Sequence, residues 1–182
     1  MTAIKRITEE YKKLIEEPLV GNFGITVGLF NEDNIFEWRT TVFGPKDSIY
    51  KGGLFIFKII FPKNYPNEKP EILFLTPIYH LNIKYWADNR FPLGHINLTT
   101  LNSWKPGDSI ITLLPHIFVL LLKNNPICPY DDIYYTRRNE FINNRPLFDK
   151  KARYFTKKYA SSNRLNILYQ NSWDFSFNEK MI

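Results

Sequence analysis

The chain has 182 residues and a single cysteine, Cys128, so it cannot form an intramolecular disulfide. Its first residues, MTAIKRITEEYKK, lack the apolar core of a secretory leader. Both absences lead to the expectation of a reducing compartment, the cytoplasm or the nucleus. No apolar run approaches the ~18 residues a membrane span needs; the longest, Ile110 to Leu122, is interrupted by Thr112, Pro115 and His116. Paired ligands at zinc-binding spacing are missing, and neither His95 nor His116 has a partner, so no metal and no cofactor is implied. There is no internal repeat and no long flexible linker.

The formal charge of +6 comes from 24 basic and 18 acidic residues, and these are dispersed. An acidic partner surface suits that balance, whereas nucleic acid is not expected, because basic runs and aromatic-interleaved motifs are lacking. With 44% hydrophobic and 16% aromatic residues, the chain has enough apolar material for one packed domain.

Thr2 is placed to cap a first helix in which Ile4, Ile7, Tyr11, Leu14 and Ile15 recur at helical spacing, and Pro18 sets its end. The pattern then changes. GITVGLF, IFEWRTTVFG, LFIFKIIF and EILFLT are short, rich in β-branched and aromatic residues, and separated by the turn-forming NEDN, GPKDSIYKGG and PKNYPNEKP. Four such strands in succession predict an antiparallel meander. Its open face needs a cover, and the apolar segment from Ile110 to Leu122 is the candidate, capped by Asp108 or Ser109, with Pro115 expected to kink it or delay its start. Helical signals follow at 134–141 and 147–160. The expectation is an α+β domain over residues 1–160, followed by a tail, 161–182, so rich in apolar side chains that it should dock.

Several short motifs then occur in one order: KRI at 5–7, GP at 44–45, YKGG at 50–53, FPKNYPNEKP at 61–70, YHLN at 79–82, WKP at 104–106, PYDD at 129–132 and KKYA at 157–160. In this order they resemble the ubiquitin-conjugating enzymes, and the resemblance covers residues 3–160. It implies the UBC-like fold: an N-terminal helix, the four-stranded meander, a central helix and C-terminal helices. It also implies an activity, in which a cysteine carries ubiquitin as a thioester. Here the matching stretch is GHINL, so Asn97 stands where that cysteine would be. An amide nitrogen has its lone pair delocalised into the carbonyl and cannot replace a thiolate as nucleophile.

The resemblance assigns two further positions. Asn82 matches an asparagine that stabilises the oxyanion, or else braces the loop by hydrogen bonds to backbone. Asp131 matches an acidic residue that orients the incoming lysine, or else caps the helix that follows it. His80 is read as a structural residue holding the loop through its ring nitrogens, and Trp104 as a packing anchor.

Other positions depart from the pattern. Leu81 replaces a proline, which removes a φ constraint and leads us to expect a looser loop. The connection from Asn82 to Gly94 is roughly seven residues longer than usual and carries Tyr85, Trp86 and Phe91: a cover over the groove that receives ubiquitin's C-terminal tail, a partner surface or a plain loop. Asn67 and Lys105 stand at the ligase-contact positions, which argues against ligase binding of the usual kind. Lys5 and Arg6 keep the basic first-helix surface that resembles the activating-enzyme contact, or form a solvated face.

The expected function is therefore that of a non-catalytic variant in a ubiquitin or ubiquitin-like pathway, which binds or positions ubiquitin or an active conjugating enzyme. The alternative is a transferase with a relocated nucleophile, Cys128, beside Pro129 and Asp131. A binding module unrelated to ubiquitin, working through the tail and Trp86, is the third reading.

Overall fold

A computed structural model describes residues 2–17, 24–84, 92–122 and 135–161. Helix α1 is Ala3–Glu16, and the Thr2 side chain accepts the Lys5 N–H at its start. Ile7 and Leu14 are buried, but Ile4 and Ile15 are 57% and 51% exposed, while Glu10 is buried. The apolar stripe read from the sequence is thus displaced. At ~100° per residue, Ile4 and Ile15 lie on one flank of Ile7 and Glu10 on the other. The helix is rolled toward Glu10 because that carboxylate has buried partners, described below.

The sheet consists of β1 (Ile25–Leu29), β2 (Glu37–Phe43), β3 (Leu54–Ile60) and β4 (Glu71–Phe74), antiparallel and in sequence order. This is the expected meander. Val27, Thr40, Phe57 and Phe74 stand in register across the four strands. Alternation buries Trp38, Thr40 and Val42 of β2 on the same face as Phe55, Phe57 and Ile59 of β3.

A helical turn, α2 (Thr99–Asn102), is followed by α3 (Ile110–Leu122), which contributes Ile110, Leu113, Leu114, Ile117, Leu120 and Leu121 to the core. Ser109 caps α3: its Oγ accepts the Ile111 N–H at 3.0 Å and its carbonyl the Leu113 N–H at 3.1 Å. Asp108 instead accepts the Lys105 N–H at 2.7 Å, closing the preceding turn. Pro115 lies inside the helix and does not delay its start, since Ser109 fixes that start upstream.

Helices α4 (Tyr135–Asn143) and α5 (Arg145–Tyr159) complete the α+β architecture, with Asn144 capping α5 through the Leu147 N–H. The backbone of Leu54 donates to the Ala160 carbonyl at 2.8 Å, tying the start of β3 to the end of α5. Apart from Ser161, the tail expected to dock lies outside the described residues. So do Tyr85, Trp86, Phe91, Cys128, Pro129 and Asp131. Among the described residues, no helix is long and apolar enough to cross a membrane.

Candidate functional site

Residues 94–97 run beside β4 and are paired on both sides. Leu73 bridges His95 and Ile83 bridges Ile96, both antiparallel. Backbone hydrogen bonds from Phe74 N–H to the Gly94 carbonyl and from Ile96 N–H to the Ile72 carbonyl fix one side. Bonds from Lys84 N–H to the His95 carbonyl and from Gly94 N–H to the Lys84 carbonyl fix the other. Gly94 is required here: its φ is +80°, and a Cβ would lie 2.1 Å from the Phe74 carbonyl oxygen.

Asn97 ends this ladder. Its N–H donates to the Asn82 carbonyl at 2.7 Å, and the Asn82 Nδ2 donates to the Asn97 carbonyl at 3.1 Å. The Asn97 Oδ1 accepts from Asn102 Nδ2 at 3.1 Å, and the buried Leu98 and Leu101 hold α2 beneath it. The half-buried Asn97 side chain therefore lies between the loop of Asn82 and the turn of Asn102.

The loop bearing Asn82 is set by its neighbours. His80 Nδ1 accepts the Asn82 N–H at 3.0 Å, and the ring also hydrogen-bonds the Leu120 backbone. A ring nitrogen that accepts an amide proton is unprotonated, and the Leu120 carbonyl requires a donor, so His80 is neutral with its proton on Nε2. Burial pushes its pKa down to about 4; the Leu120 bond opposes this, and nearby Arg137 adds to it.

Arg137, on α4, donates from Nη1 to the carbonyls of His80 at 3.2 Å and Ile78 at 3.5 Å, and its guanidinium lies 4.2 Å from the Tyr79 ring centre. Tyr79 donates to Glu140 Oε2 at 2.7 Å, and Tyr50 donates to the Tyr79 carbonyl at 2.9 Å. Leu81, at the position of the family's proline, is 1% exposed. Where the resemblance would place a pyrrolidine ring, burial of Leu81 and the hydrogen bonds of His80 and Arg137 hold the loop. Lys84 is also fully buried, which its sequence neighbours gave no reason to expect.

Trp104 Nε1 donates to the Pro66 carbonyl at 2.8 Å, and its ring packs against Tyr65 at 5.8 Å. The exposed Asn67 and Lys105 flank this link, on the two loops that the resemblance associates with a ligase. Between α2, this turn and α3 opens a cleft of about 290 Å³, lined in part by Thr100, Trp104, Lys105, Thr112 and His116.

A buried polar cluster anchors α1 to the start of α3. Glu10 Oε2 accepts from the Tyr65 hydroxyl at 2.8 Å and the Ile110 N–H at 3.2 Å, while Oε1 pairs with Arg6 Nε. A carboxylate at a helix N-terminus meets unpaired N–H groups and the positive end of the helix dipole. Arg6 also donates from Nη2 to the Asp108 carbonyl at 3.2 Å, and Glu10 holds its pKa above the usual value. Of the two basic residues singled out on α1, only Lys5 is exposed; Arg6 is largely engaged in this cluster.

Glu10, Tyr65, Lys84, Asn102 and Arg137 were not identified from the sequence. Each is a polar residue whose role depends on partners distant in the chain, and no local pattern marks it. Among the described residues, no group of three or more His, Cys, Asp or Glu side chains could hold a metal ion.

A profile of the family described as Ubiquitin-conjugating enzyme matches residues 6–156. Ubiquitin-conjugating enzyme E2 14 of Schizosaccharomyces pombe is 37% identical over 160 residues, covering 87% of this chain and 94% of the relative. Ubiquitin-conjugating enzyme E2 T of Xenopus laevis is 35% identical, covering 88% of this chain and 79% of the relative. Probable ubiquitin-conjugating enzyme E2 31 of Arabidopsis thaliana is 35% identical, covering 88% and 95%. With its helix, meander and cross-paired 94–97 segment in family order, the chain belongs to the ubiquitin-conjugating enzyme family.

Proposed function

We propose that this protein is a non-catalytic member of the family, which binds or positions ubiquitin, a ubiquitin-like protein or an active conjugating enzyme or ligase in the cytoplasm or nucleus. The observation that carries the reading is the carboxamide of Asn97 at the end of the 94–97 ladder, hydrogen-bonded to Asn102. Forming a thioester requires a sulfur that attacks an acyl carbon and expels its leaving group, and an amide cannot take that part. The surrounding frame supports a positioning role, because Asn82 and His80 sit on a loop held by buried hydrogen bonds. A surface held in this way and lacking a nucleophile orients a bound chain without reacting with it.

The test combines charging and binding. Activating enzyme, ATP and ubiquitin are incubated with the protein and resolved on a non-reducing gel, with an authentic conjugating enzyme in parallel. No reductant-sensitive adduct is expected, and titration into isotope-labelled ubiquitin or an active conjugating enzyme is expected to shift resonances. An adduct abolished by Cys128→Ser would replace this reading with that of a relocated nucleophile. Loss of both charging and binding would leave a module unrelated to ubiquitin.

A further inference from the structure

The connection between β2 and β3 packs against α5, and between them opens a cleft of about 560 Å³, within the range of ligand pockets. None of its lining residues belongs to the Asn82–Asn97 site. Its walls are fixed. A Cβ on Gly53 would meet Thr156 Cγ2 at 2.7 Å, so only a glycine lets the turn approach α5 this closely. The bond from Leu54 N–H to the Ala160 carbonyl locks the same approach, and Ser48 Oγ donates to the Pro45 carbonyl and accepts the Tyr50 N–H, stiffening the turn.

The chemistry of the lining has one sign. Lys51 comes from the turn, and Arg153 and Lys157, four residues apart on α5, face it from the other wall. No carboxylate lines the cleft among the described residues. Among the described residues, Arg153, 61% exposed, has only a long 3.9 Å contact with Asp149, which is held more closely by Arg145 at 2.6 Å. The half-buried Ile49 and the aliphatic stems of the basic side chains supply an apolar floor.

We propose that this cleft docks an acidic peptide segment of a partner protein, with an apolar side chain against Ile49 and flanking carboxylates on Lys51, Arg153 and Lys157. Charge complementarity selects this occupant: three cations with no competing anion in the lining attract carboxylates and exclude basic segments. Single-stranded nucleic acid is disfavoured because the described lining residues offer no aromatic platform for bases. A membrane is disfavoured because a concave cleft with one apolar side chain among its described lining residues has nothing to insert.

The probe is a fluorescein-labelled nonapeptide, a central leucine flanked by glutamates, measured by polarisation with the full chain at low salt. Its counterpart with glutamine for glutamate and a labelled DNA duplex serve as comparisons. The triple variant Lys51→Glu, Arg153→Glu, Lys157→Glu is expected to weaken peptide binding by about tenfold or more, since each exposed pair contributes modestly. The triple variant Lys12→Glu, Lys13→Glu, Lys63→Glu makes the same change in net charge outside the cleft and is expected to leave most of the binding. Thermal unfolding of each variant establishes that it is folded. Equal loss in both triples would overturn the proposal in favour of net charge alone. Equal affinity for the glutamine peptide, or tighter binding of the duplex lost in the same cleft variant, would also overturn it.

Discussion

Asn82 and Asn97 hold each other through two hydrogen bonds of opposite sense, Asn97 N–H to the Asn82 carbonyl at 2.7 Å and Asn82 Nδ2 to the Asn97 carbonyl at 3.1 Å. Neither bond uses the Asn97 side chain. The backbone at position 97 is therefore held by bonds that do not depend on which side chain stands there.

That independence makes Asn97→Cys informative. Among the described residues, the side-chain bond it removes is the one from the exposed Asn102, so the expected loss of stability is within about 1 kcal/mol. We expect the variant to gain a reductant-sensitive adduct with activating enzyme, ATP and ubiquitin, visible as a band shift absent from the unsubstituted protein. A folded variant that stays uncharged would mean that the activating-enzyme or ubiquitin contacts have been lost along with the thiol.

His80 predicts a pH dependence of stability. Burial lowers its pKa from 6.5 to about 4, so between these values the unfolded chain binds a proton that the folded chain does not. Stability therefore falls as pH falls from 6.5 toward 4, at about 1.4 kcal/mol per pH unit and about 3 kcal/mol in all from this group. Protonation at Nδ1 would also replace the acceptor of the Asn82 N–H by a donor. Urea denaturation at pH 7, 6 and 5 should show the decline, and His80→Gln should flatten it whatever its stability at pH 7. An unchanged slope in the variant would assign the decline to other groups.

The strands, their order and the covering helix were legible because β-branched and aromatic enrichment, turn residues and a long apolar run are local signals. β2 shows why: its aromatic and β-branched residues mark the strand, and among them Trp38, Thr40 and Val42 are buried. Membership of the family was legible from the order of the motifs, and a profile of that family matches residues 6–156. The orientation of α1 was not, because hydrophobic spacing weights Ile4 and Ile15, whereas the fold turns the helix to give Glu10 its partners. The contacts that hold the loop at Leu81 were equally hidden, since they include Arg137, 56 residues away in sequence.

The Glu10 cluster should behave as a unit. Glu10→Ala leaves the Tyr65 hydroxyl and Arg6 without their carboxylate and is expected to destabilise the protein by about 2–3 kcal/mol. Tyr65→Phe should lose only about 1 kcal/mol, because Glu10 still accepts the Ile110 N–H. A double-mutant cycle by urea denaturation should return a coupling above about 0.5 kcal/mol, and strict additivity would show that the contacts are energetically independent.

Two glycines give opposite expectations for the same substitution. At Gly94, φ is +80° and an added Cβ would lie 2.1 Å from the Phe74 carbonyl oxygen, so alanine must break the pairing of β4 with the 94–97 segment or distort it. Strain at a left-handed position alone costs about 1–2 kcal/mol, and the overlap with a backbone oxygen adds to it, so we expect Gly94→Ala to destabilise by about 3 kcal/mol or more. At Gly28, within β1, nothing lies within 4 Å of the added carbon and φ is not positive. Gly28→Ala restricts the unfolded chain without a clash and is expected to stabilise by about 0.5 kcal/mol. Denaturation midpoints of the two variants should therefore move in opposite directions. A mild effect at Gly94 would mean that the 94–97 segment shifts easily against β4, and Asn97 would then not be held in the frame described above.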